Sequence, residues 1–337
     1  MKNLNTQEKV SAMTTCAGCP IGLVARTVLN AIDGPAVVTG ATSCMEVTST
    51  IYPNTSWKVP YIHSVFGNAG ATISGIETAW KAIAKRKAGK AESMESNDSR
   101  VKSSAFSERD GEMKLTEKPL KKGVTKKPKF IAFAGDGGSY DIGLQALSGA
   151  LERGHNFLFV TYDNEGYMNT GHQRSGATPI GSNTQTTPAG KESIGKSIRQ
   201  KDLMQIVTAH RPAYAATANI GFLDDYEKKV KKALVVDGPA FILVFSPCVP
   251  LWKFPESQTI NIAQLGTETN FWPLYEYENG KYKITYKPKE KISVEEFYKT
   301  QGRFKHLFKR KDKTEIFEKI QKITDEEWEK IKQLSDL

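Results

Sequence analysis

Short, uninterrupted apolar runs alternate with amphipathic stretches over most of the chain. Residues 129–135 read KFIAFAG, and residues 157–164 read FLFVTYDN. Apolar runs of this length are typical of strands that are buried on both faces of a parallel sheet. The stretch between them carries apolar residues from Ile142 to Leu151 at helical spacing, and Gly154 then suits a helix C-cap. The pattern therefore predicts a right-handed strand–helix–strand unit with parallel strands.

Three further patterns extend this architecture. GPAFILVFSPC, residues 238–248, predicts another strand of the same sheet. Apolar residues three and four positions apart predict a helix from about Ser64 to Lys85. TDEEW has the capping-box pattern of a helix N-terminus, which places the start of a last helix at Thr324. We expect an α/β fold with a parallel sheet and helices on both faces, in a single domain that spans residues 1–337.

One segment lacks any such period. Residues 86–128 are rich in Ser, Lys and Glu and poor in apolar side chains, which predicts a mobile surface insertion. Residues 85–129 contain 14 Lys and Arg against 7 Asp and Glu, so they carry most of the net charge of +10. No aromatic interleaving or zinc-finger spacing accompanies this charge. We therefore expect a solvated loop or a docking surface for an acidic partner, and no nucleic-acid binding.

The sequence shows no membrane or export signal. It contains no run of about 18 apolar residues, as a transmembrane helix would need. The first residues, MKNLNTQEKV, lack the apolar core of a signal peptide. We therefore expect a cytoplasmic protein that does not bind membranes, with its cysteines free of disulfides.

Glycine and polar residues stand at the ends of the first two predicted strands. GDGG, residues 135–138, follows one strand, and DNEGYMNTG, residues 163–171, follows the other. The carboxyl ends of parallel strands meet at one edge of a sheet, so neighbouring strands would bring Asp136 and Asn164 together. With the carbonyl of Gly166, they would offer three oxygens to a Mg²⁺ ion that is shared with phosphates. Each motif alone is better explained as a turn, but the two together favour a metal and anion site.

The cysteines form a second candidate site. Cys16 and Cys19 make a C-x-x-C pair, while Cys44 and Cys248 stand apart. A C-x-x-C pair and two distant cysteines can complete a four-thiolate shell around zinc or around a [4Fe–4S] cluster. Spacing alone does not choose between these metals, although structural zinc is common. A redox dithiol is a third alternative, but no thioredoxin-like context surrounds the pair.

The strand–helix–strand segment resembles a known cofactor motif. Residues 135–181 contain GDG and a later Asn, as thiamine diphosphate-binding enzymes do. More narrowly, the runs CAGC, ATSCMEVTSTIYPNTSWKVPYIH, DGPAFILVFSPC and YKTQGRFKHLF resemble the β subunit of 2-oxoacid:ferredoxin oxidoreductases, with the pyruvate:ferredoxin oxidoreductases nearest. The resemblance covers most of the chain outside residues 86–128.

This resemblance implies cofactors and site residues. Asp136, Asn164 and the Gly166 carbonyl would hold Mg²⁺, and Asn169, Cys44 and Phe66 would lie beside the reacting centre. Thiamine chemistry needs an electron acceptor after decarboxylation, which favours a [4Fe–4S] cluster over zinc. The implied cluster ligands are Cys16, Cys19, Cys44 and Cys248. The implied residues for thiamine diphosphate are Gly135, Asp136, Gly137, Gly138, Asn164, Gly166, Tyr167, Asn169 and Thr170.

The resemblance also implies a reaction and partners. The reaction is the oxidative decarboxylation of pyruvate with coenzyme A to acetyl-CoA and CO₂, with electrons passing through the cluster to ferredoxin. No glutamate is placed to activate the thiamine ring, so an α subunit is expected to complete the pocket, with γ and δ (ferredoxin-like) subunits beside it. The alternatives are another 2-oxoacid, such as a branched-chain one, or a zinc-stabilised, non-catalytic α/β assembly protein. By residue type alone, His63, His155 and His172 are further acid–base candidates.

Overall fold

One mixed sheet organises the protein. The structure is a computed structural model that describes residues 8–95 and 127–336. Its strands are β1 (Ala36–Ala41), β2 (Tyr61–Ser64), β3 (Lys129–Ala134), β4 (Leu158–Asp163), β5 (Tyr214–Asn219), β6 (Ala240–Phe245), β7 (Tyr275–Glu278) and β8 (Lys281–Ile284). Within these residues, eight strands lie in the order β2, β1, β3, β4, β6, β5, β7, β8. The first six run parallel, as predicted, and β7 and β8 add an antiparallel hairpin at one edge.

Helices cover both faces of the sheet, which confirms the predicted α/β architecture. They are α1 (Ile21–Asn30), α2 (Cys44–Ser49), α3 (Ala69–Glu95), α4 (Gly137–Tyr140), α5 (Leu144–Glu152), α6 (Leu203–Ala209), α7 (Leu223–Val235), α8 (Val249–Trp252), α9 (Thr259–Glu268), α10 (Val294–Lys299) and α11 (Lys313–Asp336). Alternate side chains of β3 enter opposite cores: Ile131 and Phe133 join the core that α1 and α7 cover, and Phe130 and Ala132 join the core that α3 and α5 cover. Because both faces are buried, the strands appear in the sequence as uninterrupted apolar runs.

The helix predicted from Ser64 begins later and ends later. Ser64 is the last residue of the edge strand β2, and Phe66 lies in the turn before α3. At its other end, α3 continues through residues 86–95, so the start of the predicted insertion is helical. The remainder of the predicted mobile insertion, to residue 126, lies outside the described residues.

The helix predicted after β3 is split into α4 and α5. Asp141 lies between them with non-helical backbone angles, and its carboxylate accepts hydrogen bonds from the Lys201 ammonium at 2.7 Å and the Tyr167 hydroxyl at 2.6 Å. Ile142 is consequently 64% exposed and is not a core residue. Gly154 adopts a φ of +66° just beyond α5, as expected for a C-cap position.

The last helix is longer than the sequence predicts. The predicted start of this helix at Thr324 is wrong. Thr324 lies inside α11, and its hydroxyl donates to the Ile320 carbonyl at 3.0 Å. Ile316, Phe317, Ile320 and Ile323 already repeat at helical spacing before Thr324, so the start of the helix was readable from its apolar period. Among residues 8–95 and 127–336, no helix combines the length and the apolar character needed to cross a membrane.

The chain topology gathers the candidate residues at one edge of the sheet. Cys44 follows β1, Asp136 follows β3, Asn164 follows β4 and Cys248 follows β6. These four strands are consecutive neighbours and run parallel. Their carboxyl ends therefore present both predicted sites on the same side of the fold.

Candidate active site

Asp136 connects the ends of β3 and β4. One of its carboxylate oxygens, Oδ1, accepts the backbone N–H of Asn164 at 3.3 Å, and Oδ2 accepts the Ser175 hydroxyl at 2.9 Å. The side chain is buried, and burial together with the nearby Asp163 carboxylate raises the pKa of Asp136 well above its usual value, although the hydrogen bond from Ser175 opposes this. A divalent cation would offset the cost of these buried carboxylates. The oxygen donors at this point therefore fit the predicted Mg²⁺ ion.

A cavity of about 350 Å³ opens beside Asp136. This volume lies in the range typical of small-molecule sites. The predicted residues that line it are Cys44, Phe66, Gly135, Asp136, Gly137, Asn164, Gly166, Tyr167, Asn169 and Thr170. The sequence analysis missed five further lining residues, namely Thr42, Ser43, Tyr162, Met168 and Gln173. Of these, Thr42 and Ser43 had a usable signal, because they directly follow a parallel strand.

Glycine is required where the cavity wall meets aromatic rings. A β-carbon at Gly137 would overlap the Phe66 ring, and one at Gly135 would lie 3.2 Å from the Tyr162 hydroxyl oxygen. Gly138 differs from these two because it packs against Ala41 and Ala134, behind the cavity wall. The glycines thus let the wall come close to a ligand, as the predicted thiamine diphosphate would need.

The cavity mouth carries aromatic and polar side chains. The Phe66 ring meets the Tyr167 ring edge-on, with 5.7 Å between centroids. Tyr167 directs its hydroxyl to the Asp141 carboxylate, at 2.6 Å. Asn169 and Thr170 are exposed, and the Thr170 hydroxyl donates to the side chain of Gln173. The predicted residues are therefore together, with Asn169 and Thr170 at the rim.

A buried ion pair supports the loop after β4 from behind. Glu165 has a φ of +64° and pairs with Arg303, and both side chains are buried. The guanidinium carbon of Arg303 lies 3.8 Å from the centre of the Trp252 ring, whose N–H donates to the Asn164 carbonyl at 2.8 Å. Sequence analysis assigned no role to Arg303, because only the fold brings this residue to the loop after β4. The cluster fixes the backbone that carries the candidate metal ligands.

The four cysteines approach one another from three segments. Cys16 and Cys19 precede α1, Cys44 begins α2 and Cys248 precedes α8, and all four thiols are free. Burial, followed by repulsion from the other three thiols, raises the pKa of Cys44 to about 12. Burial, with repulsion from Cys19 and Cys16, likewise raises the pKa of Cys248 to about 12. The thiols therefore lie within electrostatic range of one another, and a cation among them would relieve the repulsion.

These thiols are gathered but not arranged as ligands. Across residues 8–95 and 127–336, no group of three or more His, Cys, Asp or Glu side chains has the spacing of a metal site. The donor type, thiol sulfur, fits zinc or an iron–sulfur cluster. The four-cysteine shell stays a prediction.

The turn between the first two cysteines is fixed against the body of the protein. Gly18 adopts a φ of +72°, and a β-carbon there would lie 2.7 Å from the Glu256 carbonyl oxygen. The Thr259 hydroxyl donates to the Gly18 carbonyl at 2.8 Å. Pro20 stands directly before α1, where a missing N–H leaves no helical hydrogen bond unmade. The C-x-x-C segment can therefore be followed by Pro20 without any loss of hydrogen bonding in α1.

The three candidate histidines occupy different surroundings. His155 lies near Thr78 and does not line the cavity. His172 is buried behind the loop, where burial and the charges of Arg303 and Lys253 lower its pKa to about 4. The third, His63, shares a hydrogen bond of 2.7 Å between its Nε2 and the Oγ1 of Thr42, a residue that lines the cavity.

Known proteins resemble this chain in sequence and fold. Residues 119–244 match the family model described as thiamine pyrophosphate enzyme, C-terminal TPP binding domain. The chain is 46% identical to the pyruvate synthase subunit PorB of Thermotoga maritima, over 96% of this chain and 90% of that protein. It is 40% identical to the ketoisovalerate oxidoreductase subunit VorB of Pyrococcus abyssi, over 96% of this chain and 92% of that protein.

One solved structure adds to these comparisons. The 2-oxoglutarate:ferredoxin oxidoreductase from Magnetococcus marinus aligns with a TM-score of 0.53 and 19% identity, covering 76% of this chain and 72% of the matched chain. At this identity, the likeness supports the fold alone.

Proposed function

The chain belongs to the family of pyruvate synthase PorB and ketoisovalerate oxidoreductase VorB subunits, and we propose that it contributes the thiamine diphosphate site of a 2-oxoacid:ferredoxin oxidoreductase. The proposed reaction is oxidative decarboxylation of pyruvate with coenzyme A to acetyl-CoA and CO₂. Pyruvate is proposed because the PorB relative, which is 46% identical over 96% of this chain, is named a subunit of pyruvate synthase.

The observation that carries the proposal is the bridge from Asp136 to Asn164 at the wall of the cavity. When bound, thiamine diphosphate supplies the electron sink that lets a 2-oxoacid lose CO₂. We assign Asp136, Asn164 and the Gly166 carbonyl to its Mg²⁺ ion. The glycines of residues 135–138 let the diphosphate come close to the backbone. Phe66, Tyr167, Asn169 and Thr170 shape the space in front of the bound substrate.

We assign Cys16, Cys19, Cys44 and Cys248 to a [4Fe–4S] cluster that accepts electrons singly and passes them to ferredoxin. The burial and proximity of the thiols support this assignment, since both disfavour the thiolates of Cys44 and Cys248 and a cationic cluster core would stabilise them. Cys44 also lines the cavity, so it is the cysteine nearest to the reacting atoms.

The proposed assembly contains an α subunit, which completes the thiamine pocket, and γ and δ subunits. The names of the PorB and VorB relatives, which mark them as subunits, support such an assembly. The proposed location is the cytoplasm, where reducing conditions keep the four thiols available to the cluster.

Anaerobic copurification of the native complex tests the proposal. We expect brown protein with iron and sulfide in equal amounts, at least about four of each per copy of this chain because the ferredoxin-like δ subunit carries clusters of its own, and reduction of ferredoxin with pyruvate and coenzyme A. Colourless protein that holds one zinc per chain would contradict the redox assignment and favour an assembly role.

A second substrate class has its own support. The VorB relative is similar over nearly the whole chain, so the assay includes 2-oxoisovalerate beside pyruvate. Faster turnover of the branched-chain acid would replace pyruvate in the proposal and leave the cofactor assignments in place.

A further inference from the structure

We propose that Asp141 is a positioning residue of the candidate active site, whose carboxylate fixes both ends of the loop of residues 167–176 and so holds the rim of the cavity ready for the cofactor. The rim residues Asn169 and Thr170 lie within this loop. Asp141 itself does not line the cavity, so it acts only through the groups that it binds. The inference rests on the proposed function, which assigns thiamine diphosphate to this cavity.

One oxygen atom binds both ends of the loop. Asp141 Oδ2 accepts the Tyr167 hydroxyl at 2.6 Å and the backbone N–H of Gly176 at 2.9 Å. Within the described part of the chain, no other side chain from outside the loop is hydrogen-bonded to both of these residues. A β-carbon at Gly176 would lie 2.9 Å from Asp141 Oδ1, so the carboxylate lies directly against the loop backbone.

Lys201 holds this carboxylate in place. Its ammonium donates to Asp141 Oδ1 at 2.7 Å and to the Tyr140 carbonyl at 2.6 Å, while its backbone N–H donates to the Gly176 carbonyl at 3.0 Å. Burial alone would raise the pKa of Asp141, but its hydrogen bonds and the charge of Lys201 outweigh burial and keep the pKa below its usual value. The carboxylate is therefore ionised, and hydrogen bonds to an ionised acceptor are stronger than neutral ones.

Helix α4 sets the distance between Asp141 and the candidate metal ligand Asp136. Asp136 directly precedes this four-residue helix, and Asp141 directly follows it. Asp136 accepts the hydroxyl of Ser175 at 2.9 Å, whereas Asp141 accepts the N–H of the next residue, Gly176. The two ends of one short helix thus bind adjacent residues of the loop, which fixes the rim relative to Asp136.

Tyr167 connects Asp141 with the cavity wall. Its ring meets the Phe66 ring edge-on, with 5.7 Å between centroids. Within the loop, the Tyr167 N–H donates to the Gln173 carbonyl at 3.0 Å, and the His172 N–H donates to the Tyr167 carbonyl at 2.9 Å. Loss of the Asp141 carboxylate would leave these two bonds in place, so we expect the loop to move without unfolding of the protein. Ordering the loop would then oppose cofactor binding.

Hydrogen exchange in the assembled complex, freed of thiamine diphosphate and Mg²⁺, tests the proposal. In Asp141→Asn we expect the amides of residues 167–176 to exchange about 10- to 100-fold faster, because hydrogen bonds to a charged group are lost. Strands β3 and β4 should keep their protection, which distinguishes a positioning role from a general loss of stability. Tyr167→Phe keeps the ring and the Gly176 bond, so its increase should be smaller.

Cofactor affinity is the second measurement. In the Asp141→Asn complex, the dissociation constant of thiamine diphosphate, measured by calorimetry, should rise by about 10-fold, as for other groups that orient a binding site. At saturating thiamine diphosphate, kcat should change less than this affinity, because the cofactor then keeps the loop ordered.

A second tyrosine–carboxylate pair provides the matched control. The Tyr286 hydroxyl donates to Glu268 away from the cavity, so Glu268→Gln should leave loop exchange and cofactor affinity at their wild-type values. Unchanged loop exchange in Asp141→Asn would overturn the proposal, and so would unchanged affinity. Lys201→Met removes the ammonium from Oδ1 and should also speed loop exchange, which decides the question if Asp141→Asn does not assemble. A wild-type complex without affinity for thiamine diphosphate would refute the proposed function, whereas the exchange result does not depend on the cofactor.

Discussion

The loops after β3 and β4 and the four-cysteine region lie at the same edge of the sheet but are organised differently. In the loops, hydrogen bonds already join Asp136 to Asn164 and Ser175. In the cysteine region, the thiols come from positions as far apart as Cys16 and Cys248, and burial, with the neighbouring thiols, disfavours the thiolate form of Cys248. Hydrogen bonds thus order the first region in the absence of a ligand, whereas the second, within the described part of the chain, has its donors near one another without a ligand geometry.

The difference indicates how each region would take its cofactor. A preorganised site orders few groups on binding, so little of the binding energy is lost. Buried thiols must lose their protons to bind a metal, and the metal then stabilises the thiolates, so metal binding and local order are coupled there. Cys44 belongs to both regions, because it lines the cavity and Asp136 contributes to its raised pKa, after burial and the other thiols.

The largest effect is expected at Asp136. In Asp136→Ala we expect affinity for Mg²⁺ and thiamine diphosphate to fall by more than about 100-fold, beyond the 10–100-fold that is typical for groups that only orient a metal ligand. Ser175→Ala removes such an orienting bond and should have the smaller effect. Cofactor content of the purified complex measures both, and iron content should stay constant. Retention of both cofactors by Asp136→Ala would refute the metal assignment.

The next prediction changes the four-cysteine region and asks whether iron is lost while thiamine diphosphate stays bound. Cys248→Ser should lower the bound iron of the complex by about four atoms per copy of this chain relative to the wild type, because thiolate ligands hold the cluster. Thiamine diphosphate should remain, since Cys248 does not line the cavity. Iron and thiamine assays of the same anaerobic sample give the result, with Thr259→Val as a control for disturbing the C-x-x-C turn. Full iron in Cys248→Ser would remove this residue from the ligand set.

A third change should remove the buried ion pair that supports the loop after β4, which carries Asn164 and Gly166. Arg303→Met leaves Glu165 buried without its partner, which typically costs 3–5 kcal/mol of stability, so we expect a loss of about that size. Arg310→Met breaks an ion pair with Asp312 at the protein surface and is the matched control. Thermal unfolding of the complex reports the difference. Equal shifts of the melting temperature in the two variants would show that the buried ion pair contributes no more to stability than the surface pair.

Local pattern was sufficient to predict the first region. The Asp136 and Asn164 motifs each end an apolar strand, and short connections make those strands neighbours, so their meeting follows from chain order. Phe66 was predicted at the cavity through a resemblance alone, because the apolar period assigned it to a helix that in fact begins at Ala69.

The rest depended on contacts between distant segments. Arg303 reaches Glu165 across 138 positions of sequence, and no local pattern encodes such a contact. The hairpin of β7 and β8 is different, because it was missed although local pattern encodes it: aromatic and charged side chains alternate on both sides of Asn279 and Gly280, which have positive φ, as in a two-residue hairpin turn. Thr42 has a partner 21 positions away on the edge strand, and residue type alone gave that partner, His63, no more weight than two other histidines.

The smallest expected effect concerns His172, which lies between the two regions. A β-carbon at Gly166 would lie 3.2 Å from its ring, and burial, then Arg303 and Lys253, lower its pKa from 6.5 to about 4. The unfolded chain therefore takes up a proton near pH 6.5 that the folded chain refuses until about pH 4, so stability should fall as the pH decreases through this window. His172→Gln should reduce the slope of the melting temperature of the complex between about pH 7.5 and 5.5. Equal slopes in the wild type and the variant would show that the charges of Arg303 and Lys253 do not lower the pKa of His172 in the loop after β4.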